Sequence, residues 1–74
     1  MDKNKVITVD ETFNLAVKNH QENKLEVAQD LYNQVLEIDP NYAKAYNNLG
    51  STFENTSDYK KALSYYEKAI EIDP

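Results

Sequence analysis

Apolar and small side chains recur at helical spacing along most of this chain. Tyr42, Ala45, Tyr46, Leu49, Gly50 and Phe53 follow an i, i+3, i+4, i+7 pattern, which is one inward-facing stripe of a helix. Tyr59, Ala62, Leu63, Tyr66, Ala69 and Ile70 form a second stripe of the same kind. Between them lies Asn55-Thr56-Ser57-Asp58, a polar break suited to ending one helix and capping the next. Upstream, Phe13, Ala16, Val17 and His20 share a face, and Thr8 with Glu11 three residues on forms a capping-box signature. The polar turn Glu22-Asn23-Lys24 leads into a stripe of Leu25, Ala28, Leu31, Tyr32, Val35 and Ile38. Asp39-Pro40 ends it, because proline disfavours helical geometry in the residue before it. The pattern predicts an all-α chain of four helices, each of about 12 to 15 residues, joined by short turns.

These helices fall into two copies of one unit. Residues 32–40 read YNQVLEIDP and residues 66–74 read YEKAIEIDP, an offset of 34 residues. The same offset pairs Asn14 with Asn48, Leu15 with Leu49, Ala16 with Gly50 and Ala28 with Ala62. The units are residues 9–42 and 43–74, behind an N-terminal extension at 1–8. Small Ala16 or Gly50, facing Ala28 or Ala62, is expected to let two helix backbones approach closely while aromatic residues fill the space around them.

Helix pairs of this length and spacing resemble tetratricopeptide repeats. The second unit carries the likeness: Tyr46, Leu49, Gly50, Phe53, Ala62, Tyr66, Ala69 and Pro74 occupy the signature slots, with tyrosine where tryptophan is the older consensus. The resemblance implies two tandem helix-turn-helix units of antiparallel helices, a fragment of an α-solenoid, and a function in binding protein or peptide. The first unit departs from the pattern, with Thr12 in the large aromatic slot and Asn19 where an aromatic normally closes the first helix. It reads as an end unit, whose positions without a preceding neighbour tolerate polar residues. Asn23 and Ser57 stand where the family usually has glycine between the helices. No further unit or solvating helix follows Pro74, so Tyr59, Leu63, Tyr66 and Ile70 are expected to be partly uncovered, and a homo-oligomer through this uncapped C-terminal face is expected. The segment Asn19-His20-Gln21 also resembles first repeats of bacterial multidomain proteins that carry a glycosyltransferase or methyltransferase downstream.

Charge and composition narrow the function further. Thirteen acids against eight lysines, without arginine, give a net charge of −5 that repels a phosphate backbone, so nucleic acid is excluded as an expected partner. No apolar run approaches a membrane span and the start lacks the apolar centre of a secretory signal, which reads as a cytoplasmic chain. Without cysteine there is no disulfide, thiolate ligand or cysteine nucleophile. His20, the lone histidine, has no H-E-x-x-H or comparable partner spacing for zinc. Asp39 and Asp73 are helix-end residues one repeat apart, and Ser51, Ser57 and Ser64 have no neighbouring base. The reading is therefore a binding module with no catalytic residue, no metal and no cofactor.

The candidate site is the face of each unit's first helix turned away from its second, which the resemblance makes the concave groove. It comprises Asp10, Asn14, Val17 and Gln21 in the first unit and Lys44, Asn48, Ser51 and Asn55 in the second. The clamp with which some members of the family grip chaperone tails needs a lysine and an asparagine where this chain has Phe13 and Val17, so that clamp is absent. Asn14 and Asn48 instead occupy one slot in successive units, which resembles the asparagine ladder of the repeats in O-linked N-acetylglucosamine transferase and implies contact with extended peptide backbone. Two alternatives stand beside the adaptor reading: substrate-docking repeats of a larger glycosyltransferase or methyltransferase, and a purely self-assembling structural repeat. Of the six tyrosines, Tyr65 lies off its stripe and is expected to be the most exposed.

Overall fold

A computed structural model describes residues 8–74. The rest of the expected N-terminal extension, residues 1–7, lies outside the described residues. The fold is four helices: α1 (Val9–Gln21), α2 (Leu25–Ile38), α3 (Ala43–Asn55) and α4 (Tyr59–Ile72). No strand occurs among the described residues, and no helix is long and apolar enough to cross a membrane. α1 packs against α2 and α3 against α4, while α2 packs on α3 and α1 touches α3, so the hairpins join through the second helix of one and the first of the next.

Local chemistry sets the helix ends. At the start of α1 the capping box is complete: the Glu11 N–H donates to Thr8 Oγ1 at 3.1 Å and the Thr8 N–H donates to Glu11 Oε1 at 3.1 Å. Both hairpin turns are Schellman motifs. The N–H groups of Asn23 and Lys24 reach the carbonyls of His20 and Asn19, and those of Ser57 and Asp58 reach Glu54 and Phe53. The motif requires a left-handed residue, and Asn23 (φ 62°) and Ser57 (φ 64°) supply it without glycine. Asparagine takes this conformation at lower cost than serine, so the second turn carries more strain. The Asp58 carboxylate caps α4 by accepting from the Lys61 N–H at 3.3 Å.

One continuous core runs through both hairpins. Ala16, Ala28, Tyr32, Val35, Ala45 and Leu49 are buried together, and Phe13, Val17, Leu31, Leu36, Phe53 and Tyr65 pack around them. Several expectations are corrected here. At Gly50 the nearest neighbour is a ring: a Cβ built there would lie 2.7 Å from Cδ1 and Cε1 of Tyr66, so the closest approach is between a helix backbone and a ring. Tyr65 is not the exposed tyrosine. Its ring stacks on Phe53, with centroids 5.4 Å apart and planes at 10°, and Tyr59 is exposed in its place. The reason is rotational: the α4 face toward α3 runs through Ala62, Tyr65, Tyr66 and Ala69, leaving Leu63 and Ile70 on the far side. Ile38, assigned to the α2 stripe, is likewise exposed. Tyr42 caps α3 instead of opening its stripe, and its ring packs 5.0 Å from that of Phe13. Thr12, expected to sit uncovered, is buried, and its hydroxyl donates to the Thr8 carbonyl.

Candidate functional site

The expected groove residues lie on α1 and α3, the first helices of the two hairpins, which touch each other. They fall into two groups. Asn14 and Gln21 on α1 and Lys44 on α3 are exposed, and their side chains make no hydrogen bond to another described residue. The others are engaged within the molecule. Asp10 Oδ1 accepts from the Tyr42 hydroxyl at 2.8 Å, which ties the first turn of α1 to the start of α3. Val17 packs against the core. Ser51 is half-buried beside the Tyr66 hydroxyl, which donates to Glu54 Oε1 at 2.6 Å.

Asn48 and Asn55 join a polar chain that crosses the junction of the hairpins. Asn48 Nδ2 donates to the Tyr32 hydroxyl at 3.2 Å, that hydroxyl meets His20 Nδ1 at 3.2 Å, and His20 Nε2 lies 3.4 Å from Asn55 Nδ2. Thus α3 contributes both ends, α2 the phenol and α1 the imidazole. A buried phenol needs such partners, because a hydroxyl removed from water without hydrogen bonds is costly. Two more elements of the junction were missed in the sequence: Thr52 is wholly buried, and Gln29 Nε2 donates to its hydroxyl at 3.0 Å while that hydroxyl donates to the Leu49 carbonyl at 2.7 Å. Both stand at the helical spacing of the buried stripes but are polar, so only the α2–α3 packing reveals them.

Burial shifts three groups around this junction, and desolvation raises the Tyr32 pKa above its ordinary 10. Desolvation lowers the His20 pKa from 6.5. Tyr42 is pushed up to about 12 by desolvation first, then by its hydrogen bond to Asp10 and the charges of Asp10 and Asp39. For His20 the linkage is direct. As pH falls through 6.5 the unfolded chain takes the proton first, so stability present above that pH is lost down to the lower folded pKa. Protonation also turns both ring nitrogens into donors, removing the acceptor that one of the two contacts uses. Lowering the pH from about 7.5 to about 5.5 is expected to depress the melting temperature of the wild type more than that of His20→Gln. Equal slopes in paired thermal melts would place the imidazole in solvent.

No group of three His, Cys, Asp or Glu side chains that could hold a metal occurs among the described residues. The arrangement offers hydrogen-bonding amides on a helical surface, backed by a rigid junction.

Comparison with known proteins matches this architecture. The family model for the tetratricopeptide repeat matches residues 43–74, and a second, described as TPR repeat, matches residues 19–57. The chain is 44% identical over 46 residues to the uncharacterized protein ycf37 of Pyropia yezoensis, covering 62% of this chain and 26% of that one. It is 39% identical over 41 residues to small glutamine-rich tetratricopeptide repeat-containing protein 2 of Mycosarcoma maydis, covering 55% of this chain and 12% of that one. Among solved structures, MamA superposes with a TM-score of 0.86 at 22% identity, over 90% of this chain and 39% of MamA, a likeness of fold. The chain thus spans about a quarter or less of these two relatives. With two hairpins one repeat apart, the signature residues in their packing positions and both family matches, the chain belongs to the tetratricopeptide repeat family.

Proposed function

We propose that the chain is an adaptor module that binds an extended peptide along the face formed by α1 and α3. Tetratricopeptide repeats generally mediate protein–protein interaction, and the reading here concerns which surface does so. The observation that carries it is the state of the paired asparagines. Asn14 is exposed and spends nothing on another described residue, and Asn48, one repeat on, commits one amide hydrogen to Tyr32 and keeps its carbonyl oxygen. A side-chain amide pairs with the N–H and C=O of one extended residue without reading its side chain. Packed helices stand about 10 Å apart, a distance covered by about three extended residues, so successive rungs would grip every third residue. Lys44 favours an acidic group at the α3 end. Binding would be weak and dependent on peptide length, since each rung contributes only about 0.5–1.5 kcal/mol.

Amide chemical-shift titration of labelled protein with unstructured peptides tests this. Asn14→Ala is the sharper variant, because Asn48→Ala also strips a partner from Tyr32. Asn14→Ala is expected to weaken binding several-fold, by about 1 kcal/mol, with an unchanged melting temperature. Shift changes confined to the outer surface of α4, or equal binding by Asn14→Ala, would refute the groove.

A further inference from the structure

The polar chain across the hairpin junction turns on a single hydroxyl proton. Tyr32 is wholly buried, and its hydroxyl meets Asn48 Nδ2 and His20 Nδ1, each at 3.2 Å. Asn48 donates to it, so the hydroxyl accepts on that side and aims its own proton at His20. Nδ1 then accepts, which places the proton of the neutral imidazole on Nε2. The chain therefore runs from Asn48 to Tyr32 to His20, and it leaves the Asn48 carbonyl oxygen to the groove.

Protonation of the ring reverses this direction. The imidazolium donates from both nitrogens, so Nδ1–H now points at the Tyr32 oxygen. With Asn48 donating as well, the hydroxyl proton would have no acceptor in a site closed to water, an arrangement that buried polar groups avoid. A half-turn of the Asn48 amide about its Cβ–Cγ bond removes the conflict, because it offers Oδ1 to the hydroxyl without moving a helix. Nε2 carries a proton in both forms of the ring, so exposed Asn55, 3.4 Å from it, keeps one role throughout.

We propose that His20 is a positioning residue that sets which end of the Asn48 amide faces the peptide: the neutral ring gives the groove a two-sided rung, and the protonated ring a rung that only donates. The inference rests on the groove reading given above. An extended residue shows an N–H and a C=O, and with a neutral ring Asn48 answers both, through Oδ1 and its second amide hydrogen. After the turn both free groups are amide hydrogens, and the peptide N–H loses its acceptor. The charged groups around the ring are otherwise engaged or on its own helix. Lys18 and Glu22 flank it on α1, and Glu22 pairs with Lys24 at 3.3 Å. The α2 helix faces it with the Tyr32 phenol, which burial keeps protonated, and on α3 the Glu54 carboxylate beside Asn55 accepts from Tyr66. Burial lowers the His20 pKa, so the switch lies below 6.5.

Nitrogen chemical shifts of the His20 ring and the Asn48 side chain, followed from about pH 7.5 to about pH 5, test the relay without peptide. Nδ1 is expected to be the unprotonated nitrogen at neutral pH. The Asn48 amide is expected to shift with the His20 titration in the wild type, and not in His20→Gln or Tyr32→Phe. Titration with an end-capped peptide that has no ionisable side chain reads the consequence: the wild type is expected to bind about two- to tenfold more weakly at the lower pH. Both variants are expected to bind equally at the two pH values, and Tyr32→Phe is the sharper control, since it keeps the imidazole charge and cuts the relay. Circular dichroism checks folding at each pH, and His20→Asn replaces His20→Gln should the latter lose helicity. A proton on Nδ1 at neutral pH, an Asn48 amide that ignores the His20 titration, a wild type that unfolds before the ring titrates, or a Tyr32→Phe variant that weakens as the wild type does would each overturn the proposal. A wild type that binds no peptide at either pH overturns the groove reading and the proposed specificity with it, and the peptide-free shifts then show whether the relay itself stands.

Discussion

Tyr32→Ala is expected to be the most damaging single substitution among the residues described, costing about 3–5 kcal/mol, the range for removing a buried aromatic side chain. The ring is 0% exposed and packs 5.7 Å from Phe13 and edge-on to His20 at 6.1 Å. Its loss opens a cavity where three helices meet, and a chain this short has little stability to spare. Tyr32→Phe separates the two roles of the side chain. It keeps the ring and removes the hydroxyl that meets Asn48 and His20, so it is expected to cost about 0.5–1.5 kcal/mol. Denaturant unfolding followed by circular dichroism measures both. Should the two variants be equally stable, the ring contributes no packing and the junction described above is wrong.

Gly50→Val is expected to cost about 1–3 kcal/mol through overpacking. Even the first added carbon would stand 2.7 Å from the Tyr66 ring, so the ring must leave the helix and draw its hydroxyl from Glu54. Gly50→Ala is milder, because the gain of about 1 kcal/mol in helix propensity opposes the clash and Tyr66 is only half-buried. Ala16 holds the same slot in the first hairpin, so alanine is compatible with the repeat when its helices are set for it. The readouts are the melting temperature and the Tyr66 ring resonances. Unaltered Tyr66 resonances in Gly50→Val would show that the ring does not lie on the α3 backbone.

The helices and their pairing were legible because their signals are local or periodic. Thr8 and Glu11 sit three residues apart and cap α1, and Asn23 and Ser57, in the slots where glycine is usual, adopt the left-handed conformation the turns need. The candidate groove was legible as a set of positions on α1 and α3, but not as chemistry. Nothing in the sequence says that Asp10 is bound by Tyr42 or that Asn48 spends an amide hydrogen on Tyr32, since those partners are 32 and 16 residues away.

The sequence by itself determined the all-α class, the 34-residue unit, the helix termini and most of the buried stripes, because capping, turn geometry and helical period depend on residues within a turn or two of one another. Tertiary structure alone decided which way each helix is rotated. That rotation packs Tyr65 on Phe53 and exposes Tyr59, sets the α3 backbone at Gly50 against the Tyr66 ring, and places polar Thr52 in the core with Gln29 as its partner. A helical stripe wide enough to include two neighbouring rows leaves its azimuth open, and only the neighbouring helix, by the shape and hydrogen bonds it offers, selects the row that is buried.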